Sequence, residues 1–219
     1  MRDVVIIGAS DVFDLVETSL SPESFRIVGY LGPAPLTESV YPCYRHLGTD
    51  QLIRSEDFRD AAFVVAVYDN RRRREMVTEL LSLGREVLSL KHPSAVVYPS
   101  ASLGVGSLVA PQAVISTNAQ VGMGVYVNYA ALVGHDVVVE DFGFVSPGAR
   151  LLGRAKIGSE ALIGTNAVVS MRVSVGSGAQ IAAGLVVTRD VPDGTVVMGQ
   201  QKQRRLFDPV EGRTGGQAD

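Results

Sequence analysis

Two adjacent residues, His135 and Asp136, offer the clearest chemistry in this 219-residue chain. A neutral imidazole accepts a proton from a nucleophile near neutral pH, and a carboxylate on its second ring nitrogen fixes the tautomer and stabilises the imidazolium that forms. Glu140 and Asp141 follow within a few residues. The plainer alternative is a solvated histidine beside a solvated acid. Cys43 is the single cysteine, so an intrachain disulfide and a Cys-rich zinc site are both impossible, as suits a reducing cytosol.

What must position His135 is a repeat. From Val97 to Val187 an aliphatic residue falls at every sixth position, sixteen times without a miss, and twelve of the sixteen residues two places earlier are Ala, Ser or Gly. A six-residue period walks around a 3.6-residue helix and gives no single apolar face. It suits a coil of three short strands per 18-residue rung, with rungs stacked about 4.8 Å apart. Sixteen hexapeptides make five coils and one extra face, ending where the period breaks near Asp193. His135 lies two residues past the inward Val133, at a corner and pointing outward, and it is the only histidine in the repeat; His46 and His92 lie outside it. Eighteen residues on, Gly153 should set its backbone N–H about 4.8 Å away with no side chain between. A turn role would account for Gly153 as well, and Asn128 can equally serve only its own turn.

Before the repeat, β-branched runs at 4–7, 26–30, 63–67 and 87–90 alternate with helical stretches at 11–20 and from Asp69 or Asn70 to about Leu83, where Gly84 is the stop. Strands alternating with helices predict a small Rossmann-like parallel sheet. Arg71, Arg72, Arg73 and Arg74 read as the solvated face of the second helix. The fold class is therefore an N-terminal Rossmann-like α/β unit followed by a parallel β-helix, with domains expected at 1–91 and 92–206 and a disordered tail at 207–219. With 20 basic against 23 acidic residues and a net charge of −3, nothing draws the chain to nucleic acid or an anionic membrane. The start is acidic and strand-like, and no run of 18 apolar residues occurs, so a cytoplasmic protein is expected.

The stretches HPSAVVYPSASLG at 92–104, VNYAALVGHDVVVEDFGFVSPGARLLG at 127–153, IGTNAVV at 163–169 and VVTRDVPDGTVVMG at 186–199 resemble the sialic acid O-acetyltransferase and nucleotide-sugar N-acetyltransferase family of hexapeptide-repeat acyltransferases. The resemblance spans residues 1–206 and implies a left-handed parallel β-helix. Departures fall mainly in the N-terminal half. Where relatives carry a glycine-rich GxxGHG, this chain has Gly8, Ala9, Ser10, Asp11, Val12 and Phe13; where they often carry two acids after the second strand, it has Gly32 and Pro33.

The resemblance implies an acetyl-CoA-dependent transfer to an amino group of a nucleotide-linked amino sugar, in a homotrimer with active sites between chains and without metal. His135 would be the base, Asp136 its partner, and the Gly153 N–H a donor to the thioester oxygen. Asn128 matches an asparagine near the base, and Ala9, Ser10 and Asp11 occupy the substrate-binding loop. Phe144 replaces a second histidine that contacts the acetyl donor, and can pack against an apolar group but cannot hydrogen-bond. Thr165 and Ala183, one rung apart, match positions along the coenzyme A arm, and Arg189, Lys202, Arg204 and Arg205 are candidates for its phosphates. A sugar O-acetyltransferase and an inactive trimeric binding module are the alternatives. A zinc enzyme on the same fold would need three histidines where only His135 stands.

Overall fold

A computed structural model describes residues 1–8, 12–32 and 44–199. Five parallel strands form the first unit: β1 (Arg2–Ile7), β2 (Phe25–Leu31), β3 (His46–Gly48), β4 (Ala62–Val65) and β5 (Glu86–Val87), in the spatial order β3-β2-β1-β4-β5. Helices α1 (Phe13–Ser19) and α2 (Asn70–Ser82) flank them. The strands are apolar on both faces because both faces are covered. Val4, Ile6, Ala62 and Val64 share a core with α1, while Val5, Ile7, Phe63 and Val65 pack with Met76, Val77 and Leu80 of α2. The expected cap of α2 is present, the Asp69 carboxylate accepting from the Arg72 N–H at 2.7 Å. Gly84 follows at φ +68°, a conformation glycine adopts without a Cβ penalty. The short β3 was not anticipated from its residues.

Beyond this unit, eighteen two-residue strands stack into a left-handed parallel β-helix with three faces. The first face begins at Leu90–Lys91 and recurs through Tyr126–Val127, Phe144–Val145 and Leu162–Ile163. The second holds Leu132–Val133 and five more strands; the third holds Val138–Val139 and four more. Strands pair in register one rung apart, as in Val133↔Leu151 and Val139↔Ile157. Fourteen of the sixteen periodic aliphatics are buried, while Val97 and Leu103, in the first rung, are partly buried against the same core. From the third corner onward, each regular corner turns on one left-handed residue. At every sixth position from Gly106 to Gly184, φ lies between +53° and +71°, and nine of those residues are not glycine.

The coil extends past its expected limits at both ends. The strand expected over 87–90 is two strands: Glu86–Val87 closes the α/β sheet, whereas Leu90–Lys91 already pairs with Leu108 and Val109 in the coil. Lys91 occupies the aliphatic slot and hid that face. At the far end Val191 bridges to Val175, and Val196–Val197 pairs with Gln180 and Ile181, a spacing of 16 rather than 18 residues. The rung loses two residues after Val187 and the hexad resumes at Val191. Asp190 seals the shortened corner by accepting from the Ser174 N–H at 2.8 Å.

The arginine run is not uniformly a solvated face. Arg73 is fully buried and hydrogen-bonds across to the coil; Arg72 pairs with Glu75 and Asp50, and Arg74 with Glu160. Arg73 sits at the i position of the stripe completed by Met76, Val77 and Leu80, so the helix turns it inward with its apolar residues.

Stability should follow the rung order. Ile157→Ala empties a fully enclosed slot and should cost about 2–5 kcal/mol in urea unfolding, whereas Leu103→Ala, in a partly exposed slot, should cost distinctly less.

Candidate active site

The corner between the second and third faces holds His135. Its ring Nδ1 lies 2.8 Å from Asp136 Oδ2, and the two side chains are 54% and 38% exposed. With Nδ1–H donated to the carboxylate, Nε2 keeps its lone pair for a proton. Asp136 adopts φ +58°, and aspartate is among the non-glycine residues that tolerate this region. Its other oxygen accepts from Asn118 Nδ2 at 3.2 Å, and Arg154 Nε stands 3.7 Å from Oδ2. The hydrogen bond to His135 first, then that from Asn118, holds the carboxyl below the usual Asp range despite its exposure.

Asn118, Asp136 and Arg154 are one rung apart on a single ladder, so a polar neighbour grips the acid from either side. Neither neighbour was singled out from the sequence, although counting eighteen residues each way from Asp136 finds both.

Gly153 lies against the histidine as the rung arithmetic expected, and more closely. A Cβ there would fall 2.2 Å from His135 Nε2, so any side chain would push the ring away. Among the described residues the Gly153 N–H makes no hydrogen bond, like those of Thr117, His135, Thr165, Met171 and Ala183 at equivalent corner positions, while those of Met123, Ser159 and Ser177 are taken by carboxylates of Asp141, Glu140 and Asp193. A free donor thus stands beside a free ring nitrogen.

The other expected site residues lie elsewhere in the same chain. Thr165 and Ala183 are exposed on the corner between the first and second faces. Asn128 occupies that corner too, 5% exposed, with its Oδ1 accepting from the Tyr129 N–H at 2.8 Å: its side chain serves its own turn. Phe144 is on the first face, 9% exposed, edge-on to Tyr126 at 5.3 Å and to Tyr68 at 5.7 Å. Within one chain, Phe144 does not come to the His135 corner. Arg189 is exposed; Ala9, Ser10 and Asp11, like Lys202, Arg204 and Arg205, lie outside the described residues.

A separate cavity of about 410 Å³ opens at the C-terminal edge of the α/β sheet, among Gly8, Gly32, Asp50, Val67, Tyr68 and Arg72. It sits where the strand order reverses between β1 and β4, the switch point at which open α/β sheets take ligands. Gly8 makes the edge possible: at φ +102° its missing Cβ would meet the Ala66 carbonyl oxygen at 2.5 Å. A larger cavity of about 730 Å³ lies among Arg2, Arg26, Asp57 and Phe58, at the opposite edge of the sheet, away from both the switch point and His135. Among the described residues no group of three or more His, Cys, Asp or Glu could hold a metal, and no helix is long and apolar enough to cross a membrane.

Residues 154–189 match the family model described as the hexapeptide repeat of succinyl-transferase. Coil and corner histidine together define the class as hexapeptide-repeat acyltransferases. The acetyltransferase domain of PglB from Neisseria gonorrhoeae superposes with a TM-score of 0.83 at 34% identity, covering 91% of this chain and 97% of that one, and it has also been solved with acetyl coenzyme A. PerB from Caulobacter crescentus, solved with CoA and GDP-perosamine, gives a TM-score of 0.81 at 28% identity over 91% and 95% of the two chains. GDP-perosamine N-acetyltransferase of Escherichia coli O157:H7 is 35% identical over 137 residues, 63% of this chain; the match spans about half the length of that curated relative, 54%. The chain belongs to the sialic acid O-acetyltransferase and nucleotide-sugar N-acetyltransferase family.

The site makes a prediction about acid stability. Asp136 is depressed in the folded state, so its contribution is complete above the ordinary Asp range and is lost as pH falls through the lowered value. Thermal melts of wild type and Asp136→Asn should therefore differ most at mildly acidic and neutral pH and converge toward strongly acidic pH. Asparagine tolerates the same left-handed backbone, so the difference reports charge and not strain.

Proposed function

We propose that the protein transfers the acetyl group of acetyl-CoA to the amino group of a nucleotide-linked amino sugar, in a homotrimer whose sites form between chains. The observation that carries this reading is the His135–Asp136 pair set against the unengaged N–H of Gly153. As the amine nitrogen bonds to the thioester carbonyl, His135 Nε2 takes its proton, Asp136 balances the imidazolium, and the Gly153 N–H donates to the oxyanion. Collapse of the intermediate expels the coenzyme A thiolate, and His135 returns the proton to it. The names of the relatives supply the substrate class: an acetyl coenzyme A complex for one, CoA and GDP-perosamine for another.

The second copy follows from where the residues stand. His135 and Gly153 occupy one corner, Thr165 and Ala183 the next, and the second face lies between. Its outward residues Val96, Val114, Leu132, Val168 and Val186 are apolar with Arg150 the exception, whereas the third face presents Ser102, Gln120, Lys156 and Ser174 with Val138 the exception. Three copies that turn their second faces to a common axis bring the His135 corner of each chain to the Thr165 and Ala183 corner of the next. The coenzyme A arm then runs between chains, and the cavity at the α/β switch point holds the nucleotide.

Two measurements test this. His135→Ala should lower kcat about 10²–10⁴-fold on a nucleotide-linked amino sugar with coenzyme A binding retained; full activity would remove the base. Mixed trimers of His135→Ala and Ala183→Phe chains, each defective alone, should regain about a quarter of wild-type activity, because a site drawing one residue from each of two chains is intact in that share of random pairings. No recovery would place both residues in one chain's site.

A further inference from the structure

Arg73 is the most deeply buried charge among the described residues, and this mechanism does not use it. It is fully enclosed, and among the described residues its guanidinium meets no carboxylate. Nε donates to the Gly124 carbonyl at 2.6 Å, and Nη2 to the Phe142 carbonyl at 2.8 Å, both on the coil corner between the third and first faces. Nη1 donates to the carbonyls of Val67 and Tyr68 at 2.9 and 3.0 Å, on the segment between β4 and α2. Asn70 Oδ1 takes the remaining Nη2 hydrogen at 2.8 Å, while Asn70 Nδ2 itself donates to the Glu160 carbonyl on the coil at 2.8 Å. Burial lowers the Arg73 pKa to about 10, still far above neutrality, so the group stays charged and every donor must be satisfied.

The segment it grips is placed for substrate. Val67 and Tyr68 line the 410 Å³ cavity at the switch point. Tyr68 also lines a second cavity of about 250 Å³, with Asn70, Arg71, Glu160 and Gln180, on the seam between α2 and the coil, and it is the one residue common to both. Its ring lies parallel to that of Tyr126 at 5.8 Å and edge-on to Phe144. An acceptor with its nucleotide in the first cavity and its sugar reaching toward the coil passes over Tyr68.

We propose that Arg73 is a positioning residue, a five-donor clamp that fixes the Val67–Tyr68 wall against the coil so that a nucleotide held at the sheet edge presents its sugar amine at the height of the transfer site. This rests on the acetyl-transfer reading above. The clamp acts only on an acceptor bound through both parts: a sugar without its nucleotide does not depend on the distance between sheet edge and coil, and neither does acetyl-CoA. A lysine cannot substitute, because one ammonium cannot span carbonyls on two elements as a planar fork does.

The test compares Arg73→Met and Arg73→Lys with wild type in the full chain, using a nucleotide-linked amino sugar and the same sugar without nucleotide. For the linked acceptor, kcat/KM should fall about 10²-fold in both variants, the scale of a misplacement near 1 Å. KM for acetyl-CoA and kcat/KM for the free sugar should stay within about twofold. Equal losses on both acceptors, or loss of the folded assembly in both variants, would make Arg73 merely structural and overturn the proposal; unchanged kinetics would overturn it too. A wild type that turns over neither acceptor refutes the acetyl-transfer reading itself, and this is seen before any variant is made.

Discussion

A rung of three flat faces must change direction three times in eighteen residues, and from Gly106 to Gly184 each change is made by one residue in the left-handed region. That constraint sets everything else. It fixes which side chains point inward, and so an interior one aliphatic wide. It stacks position i on i+18, so that the histidine at one corner rests on the glycine of the next rung and its carboxylate partner is held from above and below. Asp136 illustrates the economy of the arrangement: the same φ that turns the chain also aims its side chain at the imidazole. Nine of the corners use residues other than glycine, at about 1–2 kcal/mol each in backbone preference; the register of the whole coil holds them there.

A second dependence joins the two units. The first face of the coil is apolar because it is interior: Leu108, Tyr126 and Phe144 complete the core that β1, β4 and α1 begin. Apolar packing is forgiving of small slides, whereas a guanidinium bonded to carbonyls of two elements is not. The seam thus combines non-directional area from the aromatic cluster with a direction supplied by Arg73, and Arg74–Glu160 lies at its exposed edge.

The coil was legible in the sequence because a buried slot one residue wide admits only aliphatics, and that leaves an unbroken period. The His135 corner was legible by the same arithmetic, since Val133 gives the orientation of His135 and eighteen residues give Gly153. Thr165 and Ala183 lie 30 and 48 residues past His135, neither a multiple of eighteen, so the same arithmetic already puts their ladder at a different corner. Other features left no comparable trace. Lys91 fills an aliphatic slot at the coil's mouth, and the two-residue deletion after Val187 resets the phase, so both ends were misjudged. Arg73 shares a helical stripe with Met76, Val77 and Leu80, a signal that was present but is overruled when arginine is assumed to face water. Phe144 was read as facing a ligand because its position was matched by analogy; its burial under Tyr68 depends on the α/β unit, which no local pattern in the repeat encodes.

The shortened rung after Val187 has a kinetic meaning. In a stack where each layer touches only its neighbours, order spreads like a zipper from whichever end is held. One end is held: the α/β unit covers the first rungs with two hydrophobic cores and a clamp. The other ends on an irregular layer joined through a single bridge at Val191 and the pair at Val196 and Val197. Amide exchange should thus form a gradient along the axis, fastest in the last rung and slowest beside α2. The His135 corner, near the middle of the stack, would stay closed while the far end opens and recloses many times.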